Sequence, residues 1–262
     1  MKRWKLTYEL TDRFDAPVTD HFYSLRCFPR TGYYQQVFRC AYSVTPCFAD
    51  SRSRDSFGNE LLTGCCPVVE NSFHVYVEAE VSAAGLPEPE LRTYVQLGMY
   101  RYATAYTQAG PELEAFALAV PAPVRTPWRR TAVLMDALYH TFSYKSGSTA
   151  FHTTAQEAFA QRRGVCQDYA HILLALLRSE RITARYAAGA VPGEGASHAW
   201  VEVWQDGHWK GFDPTNNCEV DENYILFAAG RDAHDCCLNT GIFRGDAGQK
   251  QSVLFEMICM DN

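Results

Sequence analysis

Apolar and polar positions alternate along much of the first eighty residues. Lys5-Leu6-Thr7-Tyr8-Glu9-Leu10 and Phe73-His74-Val75-Tyr76-Val77-Glu78-Ala79-Glu80-Val81 do so with a period of two. That period sends successive side chains to opposite faces, so each run predicts a half-buried strand. Gln36 to Val44, punctuated by Pro29, Gly32 and Pro46, predicts a third. The stretch Asp55 to Glu60 holds the turn signal Gly58-Asn59 between strands. Several short strands with turn signals between them predict a β-sandwich-like module.

The period then changes. Gly85-Leu86-Pro87-Glu88-Pro89 and a second proline cluster, Pro121 to Pro127, mark a boundary. Beyond it Val133, Leu134, Ala137, Leu138, Thr141 and Phe142 fall on one face of a helix. Thr126 is suited to cap that helix and Pro127 to open it. Thr154 with Glu157, or Thr153 with Gln156, forms a capping box for a short helix ending near Gln161. From Gly164 to Arg178 the apolar residues spread beyond one stripe, which predicts a largely buried helix with Cys166 at its start. Alternation returns in Ala184 to Gly189, His198 to Trp204 and Trp209 to Asp213. Asp206-Gly207 makes the last two a hairpin, and Gly193-Glu194-Gly195 forms a flexible loop just before His198. Helix first and antiparallel sheet after predict an α+β fold.

Composition narrows the class. The 262 residues are 47% hydrophobic and 21% charged, as in an ordinary globular protein. The formal net charge of -6 gives no basic stripe, so no nucleic-acid partner is expected. The opening Met1-Lys2-Arg3-Trp4 runs straight into a strand pattern with no signal-peptide core. The longest aliphatic run, Ile172 to Leu177, is too short for a bilayer. The expectation is a cytoplasmic chain without a membrane partner. Its 10 cysteines are expected to be reduced thiols. There is no C-x-x-C spacing; the close pairs Cys65-Cys66 and Cys236-Cys237 are adjacent, which suits no tetrahedral ion. No metal or other cofactor is expected, since no phosphate-cradling glycine loop occurs either.

One cysteine stands apart by position. A helix N-terminus presents unpaired N–H groups and the positive end of the macrodipole, which favour a thiolate and an oxyanion. Cys166 occupies that place, after Gly164. His198 opens a strand, and counting outward from Asp206-Gly207 brings it and Asp213 to the same end of the hairpin. Asp213 would then fix the imidazole while His198 serves the thiol. The bland readings stand beside this one. A buried cysteine is ordinarily an inert hydrophobe, a single histidine a hydrogen-bonded structural residue, and Asp-Pro a turn. Gln167 is a weak candidate for the oxyanion site and Trp200 for the cleft wall. Asp168, in the first turn of the helix, complements its dipole and is expected to face away from Cys166. With His171, three residues on, it makes a structural pair.

The motifs Gly164-Val165-Cys166-Gln167-Asp168-Tyr169-Ala170-His171, Ser197-His198-Ala199-Trp200-Val201-Glu202-Val203 and Gly211-Phe212-Asp213-Pro214-Thr215-Asn216 resemble the three core motifs of bacterial transglutaminase-like proteins. These belong to the papain-like thiol superfamily. Ala229 to Ala233 and Gly241 to Gly245 resemble the segment after that core. Pro29-Arg30, Gln36 and Arg54 to Asn59 resemble the family's N-terminal β domain. The resemblance implies residues 1–85 as that β domain and 86–125 as a linker or helical connection. Residues 126–262 would form the transglutaminase-like core, with C-terminal strands returning to the β domain. It also implies Cys166 as nucleophile, His198 as base and Asp213 as orienter, acting on amide bonds of a peptide, a protein or a small amide. Hydrolysis, as in the family's cysteine proteases, is the leading expectation. Amine transfer by a transglutaminase and a non-catalytic scaffold are the alternatives. Two positions depart from the pattern. Gln167 stands where many relatives carry a basic residue, and the helix lacks a glycine C-cap after Ser179-Glu180.

Overall fold

A computed structural model describes residues 1–46, 49–90, 94–121, 126–193 and 195–261. Cys47, residues 122–125 of the second proline cluster and Glu194 of the predicted loop lie outside the described residues. The strands β1 (Lys2–Phe14), β2 (Val18–Leu25), β3 (Gln35–Thr45), β4 (Ala49–Arg54), β5 (Glu60–Val69), β6 (Ser72–Ala83) and β7 (Glu88–Pro89) come first. The helices α1 (Tyr94–Gly98), α2 (Pro111–Ala119), α3 (Pro127–Thr141), α4 (Ala155–Gln161) and α5 (Cys166–Ser179) follow, with the short strands β8 (Ser143–Tyr144) and β9 (Arg163–Gly164) among them. Then come β10 (Ala184–Ala190), β11 (His198–Gln205), β12 (His208–Asp213), β13 (Cys218–Glu219), β14 (Ile225–Gly230), β15 (Asn239–Arg244) and β16 (Gln249–Cys259).

The sheets are antiparallel apart from the small β8–β9 pair. Two have four strands, in the orders β16-β1-β6-β3 and β15-β2-β5-β4. Alternation in β1 buries Trp4, Leu6, Tyr8 and Leu10, and in β6 it buries Phe73, Val75, Val77 and Ala79. These faces meet the second sheet: the ring of Phe73 packs 4.6 Å from His21 and 4.9 Å from Tyr23, both on β2. The chain's last strands belong here as well. β16 pairs with β1 from Trp4–Cys259 to Phe14–Gln249, and β15 pairs with β2.

The third sheet runs β13-β12-β11-β10-β14, with β7 beside β12. Helix α5 packs against β10 and β11 and also against α2, α3 and α4, and α3 in turn touches β11 and β12. Almost all of it from Asp168 to Arg178 is buried, as its broad apolar face predicts. Helix α2, inside the segment expected to be a linker or helical connection, packs against α5.

Two helix ends differ from their sequence signals. Thr126 sits at the N-cap of α3, yet its hydroxyl makes no capping bond. Gln205 Oε1 takes that place, accepting from the Trp128 amide at 3.1 Å. Helix α5 ends without glycine because Arg181 itself takes the left-handed conformation, φ 60°. The Ile182 amide then reaches back to Leu177 O at 2.9 Å, satisfying a terminal carbonyl.

The free edge of β14 is closed by side chains from the N-terminal part of the chain, one on β3 and one in the turn before β5. Gln35 donates to Leu226 O at 2.8 Å and accepts from the Leu226 amide at 2.7 Å. Asn59, fully buried, does the same at Ala229, at 3.0 and 2.8 Å. Each carboxamide imitates one peptide unit of a neighbouring strand, so an exposed ladder edge is satisfied without a strand. Among the described residues, no helix is long and apolar enough to cross a membrane.

Candidate active site

Cys166 is the first residue of α5, half-buried, with Val165 extended before it. The helix start is held by Asp168. Its Oδ2 accepts from the Val165 amide at 2.7 Å and from the Thr149 hydroxyl at 2.6 Å. Burial pushes the Asp168 carboxyl up, and the two hydrogen bonds oppose that. Its position also explains Gly164. A Cβ there would lie 2.5 Å from Asp168 Oδ2 and 2.6 Å from its Cβ, so the glycine makes room for the capping carboxylate. The expected pairing of Asp168 with His171 is not made. His171 Nε2 accepts from the Ala233 amide at 3.1 Å, and burial pushes this imidazole down to about 4. On α5 both residues point inward, and each finds its partner in a different loop.

The hairpin places the other two candidates. Asp206 and Gly207 both have positive φ, 50° and 84°, which is the tight turn the sequence predicts. The ladder runs from Gln205–His208 to Val201–Phe212. His198 Nε2 lies 2.7 Å from Asp213 Oδ2, with both side chains buried. The same Oδ2 accepts from the Tyr224 hydroxyl at 2.7 Å and from Asn216 Nδ2 at 2.8 Å. Oδ1 accepts from the amides of Thr215 and Asn216, at 2.8 and 3.3 Å. Burial alone would raise the Asp213 carboxyl, but the donors, His198 foremost, hold it below its ordinary value. Burial and this carboxylate push the Tyr224 hydroxyl up, so it stays a donor.

Cys166 and His198 line one cleft of about 530 Å³. Its walls come from three places. Tyr186 and Ala188 of β10 form one side, and Ala233 with Cys236 to Asn239 another. Tyr8 of β1 with Val253 and Phe255 of β16 forms the third. The Phe255 amide donates to Gly195 O at 3.1 Å, which ties the segment before His198 to the C-terminal strand. Among the described lining residues none is Lys, Arg, Asp or Glu. Burial pushes the thiols of Cys236 and Cys237 up. Among the described residues the nine cysteines are free thiols, and no three metal-ligating side chains come together.

The two weak candidates separate. Gln167 lines the cleft, but its Nε2 donates to Phe151 O at 3.0 Å, which anchors the neighbouring loop. The amides of Cys166 and Gln167 head the helix, where no preceding turn supplies an acceptor. Trp200 does not line the cleft. It is buried beneath His198, ring centroids 6.5 Å apart at 22°, and its edge meets Tyr224. Gly189 leaves room for it, since a Cβ there would come within 2.8 Å of the indole. Tyr224 was not foreseen. It follows a polar turn, Asp221-Glu222-Asn223, and no local spacing links it to Asp213.

Comparison with known proteins places the chain in a family. Residues 114–214 match the transglutaminase-like superfamily, and residues 4–82 match the bacterial transglutaminase-like N-terminal region. An uncharacterized protein of Mycobacterium leprae is 30% identical over 284 residues, spanning 98% of this chain and 99% of its own. An uncharacterized protein of Mycobacterium tuberculosis is 30% identical over 269 residues, spanning 89% of this chain and 85% of its own. A crystal structure from Cytophaga hutchinsonii, called a "Putative Cysteine Protease", shares the fold with a TM-score of 0.82 at 21% identity. The match covers 100% of this chain and 91% of that one.

Proposed function

The chain belongs to the transglutaminase-like superfamily and carries the bacterial transglutaminase-like N-terminal region, and from that premise we propose that it is a thiol-dependent acyl-transfer enzyme acting on amide bonds. Cys166 is the nucleophile, His198 the base and Asp213 the residue that orients it. The observation that carries this reading is the cleft shared by Cys166 and His198, with His198 bonded to a carboxylate that is itself buried and fully hydrogen-bonded. The two four-stranded sheets are read as the β-sandwich-like N-terminal domain, completed by the C-terminal strands.

In the first half-reaction Cys166 gives its proton to His198, and the sulfur attacks the amide carbonyl carbon. Negative charge moves to the carbonyl oxygen, beside the unpaired amides at the head of α5. The C–N bond then breaks, and the amine leaves with the proton from His198. Asp213 holds the imidazole ring and stabilises it while it is charged. In the second half-reaction His198 takes a proton from water, whose oxygen attacks the thioester. A carboxylic acid is released and the thiol restored. An amine in place of water would give a new amide. Hydrolysis of a peptide or of a small amide is the reading we favour, and the uncharged cleft lining suits an uncharged segment of substrate.

Iodoacetamide at mildly acidic pH should label Cys166 stoichiometrically and ahead of the other cysteines. That selectivity should vanish in His198→Ala. Labelling of Cys166 no faster than the rest would end the proposal. A peptide-library cleavage screen beside an amine-incorporation assay, with Cys166→Ala as control, then separates hydrolysis from transfer.

A further inference from the structure

A second cavity, of about 270 Å³, shares no lining residue with the Cys166 cleft. Trp200 and Tyr224 form part of its wall, so it backs directly onto the His198–Asp213 pair. Its charged residues are unevenly matched. Arg185 is bound by Glu202 at 2.6 Å and Glu90 at 3.1 Å, and it lies over the Trp209 ring. Glu88 accepts the backbone amides of Tyr33 and Tyr34, and Asp221 accepts from Asn223. These bonds are to neutral amides, so both carboxylates keep spare lone pairs.

Arg30 has no carboxylate partner among the described residues, and its Nη1 is buried without an acceptor. The Trp200 indole Nε1 is also buried without one, in a side chain only 1% exposed. Both deficits are donors. Buried donors of this kind are ordinarily paired, and a guanidinium most strongly of all with a carboxylate. Yet a simple anion would enter a cavity that already holds four carboxylates against two guanidinium groups. A ligand with no net charge answers both conditions if it carries its own carboxylate and its own ammonium. Ala83, Leu86, Pro89 and Val220 supply an apolar wall for a side chain.

We propose that this cavity binds a free, zwitterionic α-amino acid, with the carboxylate toward Arg30 and Trp200 and the ammonium toward the surplus carboxylates. The volume lies just below the usual range for drug-sized ligands, which suits a smaller one. Binding stands apart from the proposed acyl-transfer reaction and does not rest on it.

The test uses the full chain with Cys166→Ala, so that no turnover intervenes. Calorimetric titration and thermal unfolding are followed with L-leucine, L-methionine, L-phenylalanine and L-alanine, then with N-acetyl-L-leucine and L-leucinamide. At least one free amino acid should bind saturably and raise the unfolding temperature. The two blocked derivatives should each bind about tenfold more weakly or worse, having lost one charge. Arg30→Gln should abolish the effect. Leu86→Trp, at a position 55% exposed and therefore tolerant, should abolish it by filling the mouth. No saturable binding by any of the four would overturn the proposal. So would N-acetyl-leucine or leucinamide binding as well as leucine, or binding that survives both substitutions in folded protein.

Discussion

His198 and Asp213 meet on the diagonal of their hairpin, not across it. Val201 faces Phe212 in the ladder, so one further step sets Trp200 opposite Asp213. His198 lies two residues beyond Trp200 on the same face, and its ring reaches Asp213 Oδ2 at 2.7 Å. Diagonal neighbours stand about 7–8 Å apart at Cα, within the span of an imidazole and a carboxylate. The indole fills the direct position and lies against the imidazole, so the contact has a rigid floor.

Asp213→Asn should preserve the fold and lower the rate of Cys166 alkylation by roughly two orders of magnitude or more, because the amide offers no charge to an imidazolium. Circular dichroism and iodoacetamide kinetics check the two halves of this statement. A variant that alkylates at the wild-type rate would remove Asp213 from the reaction.

Tyr224→Phe deletes one donor to the Asp213 carboxylate. Loss of a donor lets the carboxyl rise toward its ordinary range. The acid limb of the alkylation profile should therefore move to higher pH, by about one unit or less. An unmoved limb would mean that this hydroxyl only fills space.

His171 predicts an acid weakness. Burial takes its pKa from 6.5 down to about 4, and its neutral Nε2 accepts from the Ala233 amide. Between these values the unfolded chain binds a proton that the folded chain refuses. The stabilisation is therefore complete above 6.5 and is lost as pH falls toward 4, by ~3 kcal/mol. Urea midpoints at pH 7.5 and 4.5 should show this loss in the wild type and much less of it in His171→Gln.

Asn59→Ala strands both the amide and the carbonyl of Ala229 at the edge of β14. Two unpaired buried groups should cost about 2–4 kcal/mol, read from the urea midpoint. A shift of only a few tenths would mean that water enters and replaces the carboxamide.

What could be read from the sequence was local. Period-two alternation marks β1 and β6, and Asp206-Gly207 fixes a hairpin register that puts His198 and Asp213 at one end. Cys166 at the head of α5 follows from the onset of helical spacing after Gly164. Contacts between segments far apart in the chain left no such trace. Tyr224, Gln35 and Asn59 each act on a backbone or carboxylate brought near only by the fold. Capping followed the same division. The box of Thr154 and Glu157 forms within four residues, as its spacing predicts. At Thr126 a distant glutamine supplies the bond instead. Asp168 and His171 lie at helical spacing, but burial gave each a stronger partner elsewhere.

The pairing of β16 with β1 also orders events in time. A ribosome delivers Cys166, His198 and Asp213 before residues 249–259 emerge, yet Val253 and Phe255 of that last strand line the cleft. A growing chain thus holds Cys166, His198 and Asp213 before one wall of their cleft exists. Under the proposed reaction, the pairing of β16 with β1 would therefore complete the cleft only after Cys166, His198 and Asp213 are in place.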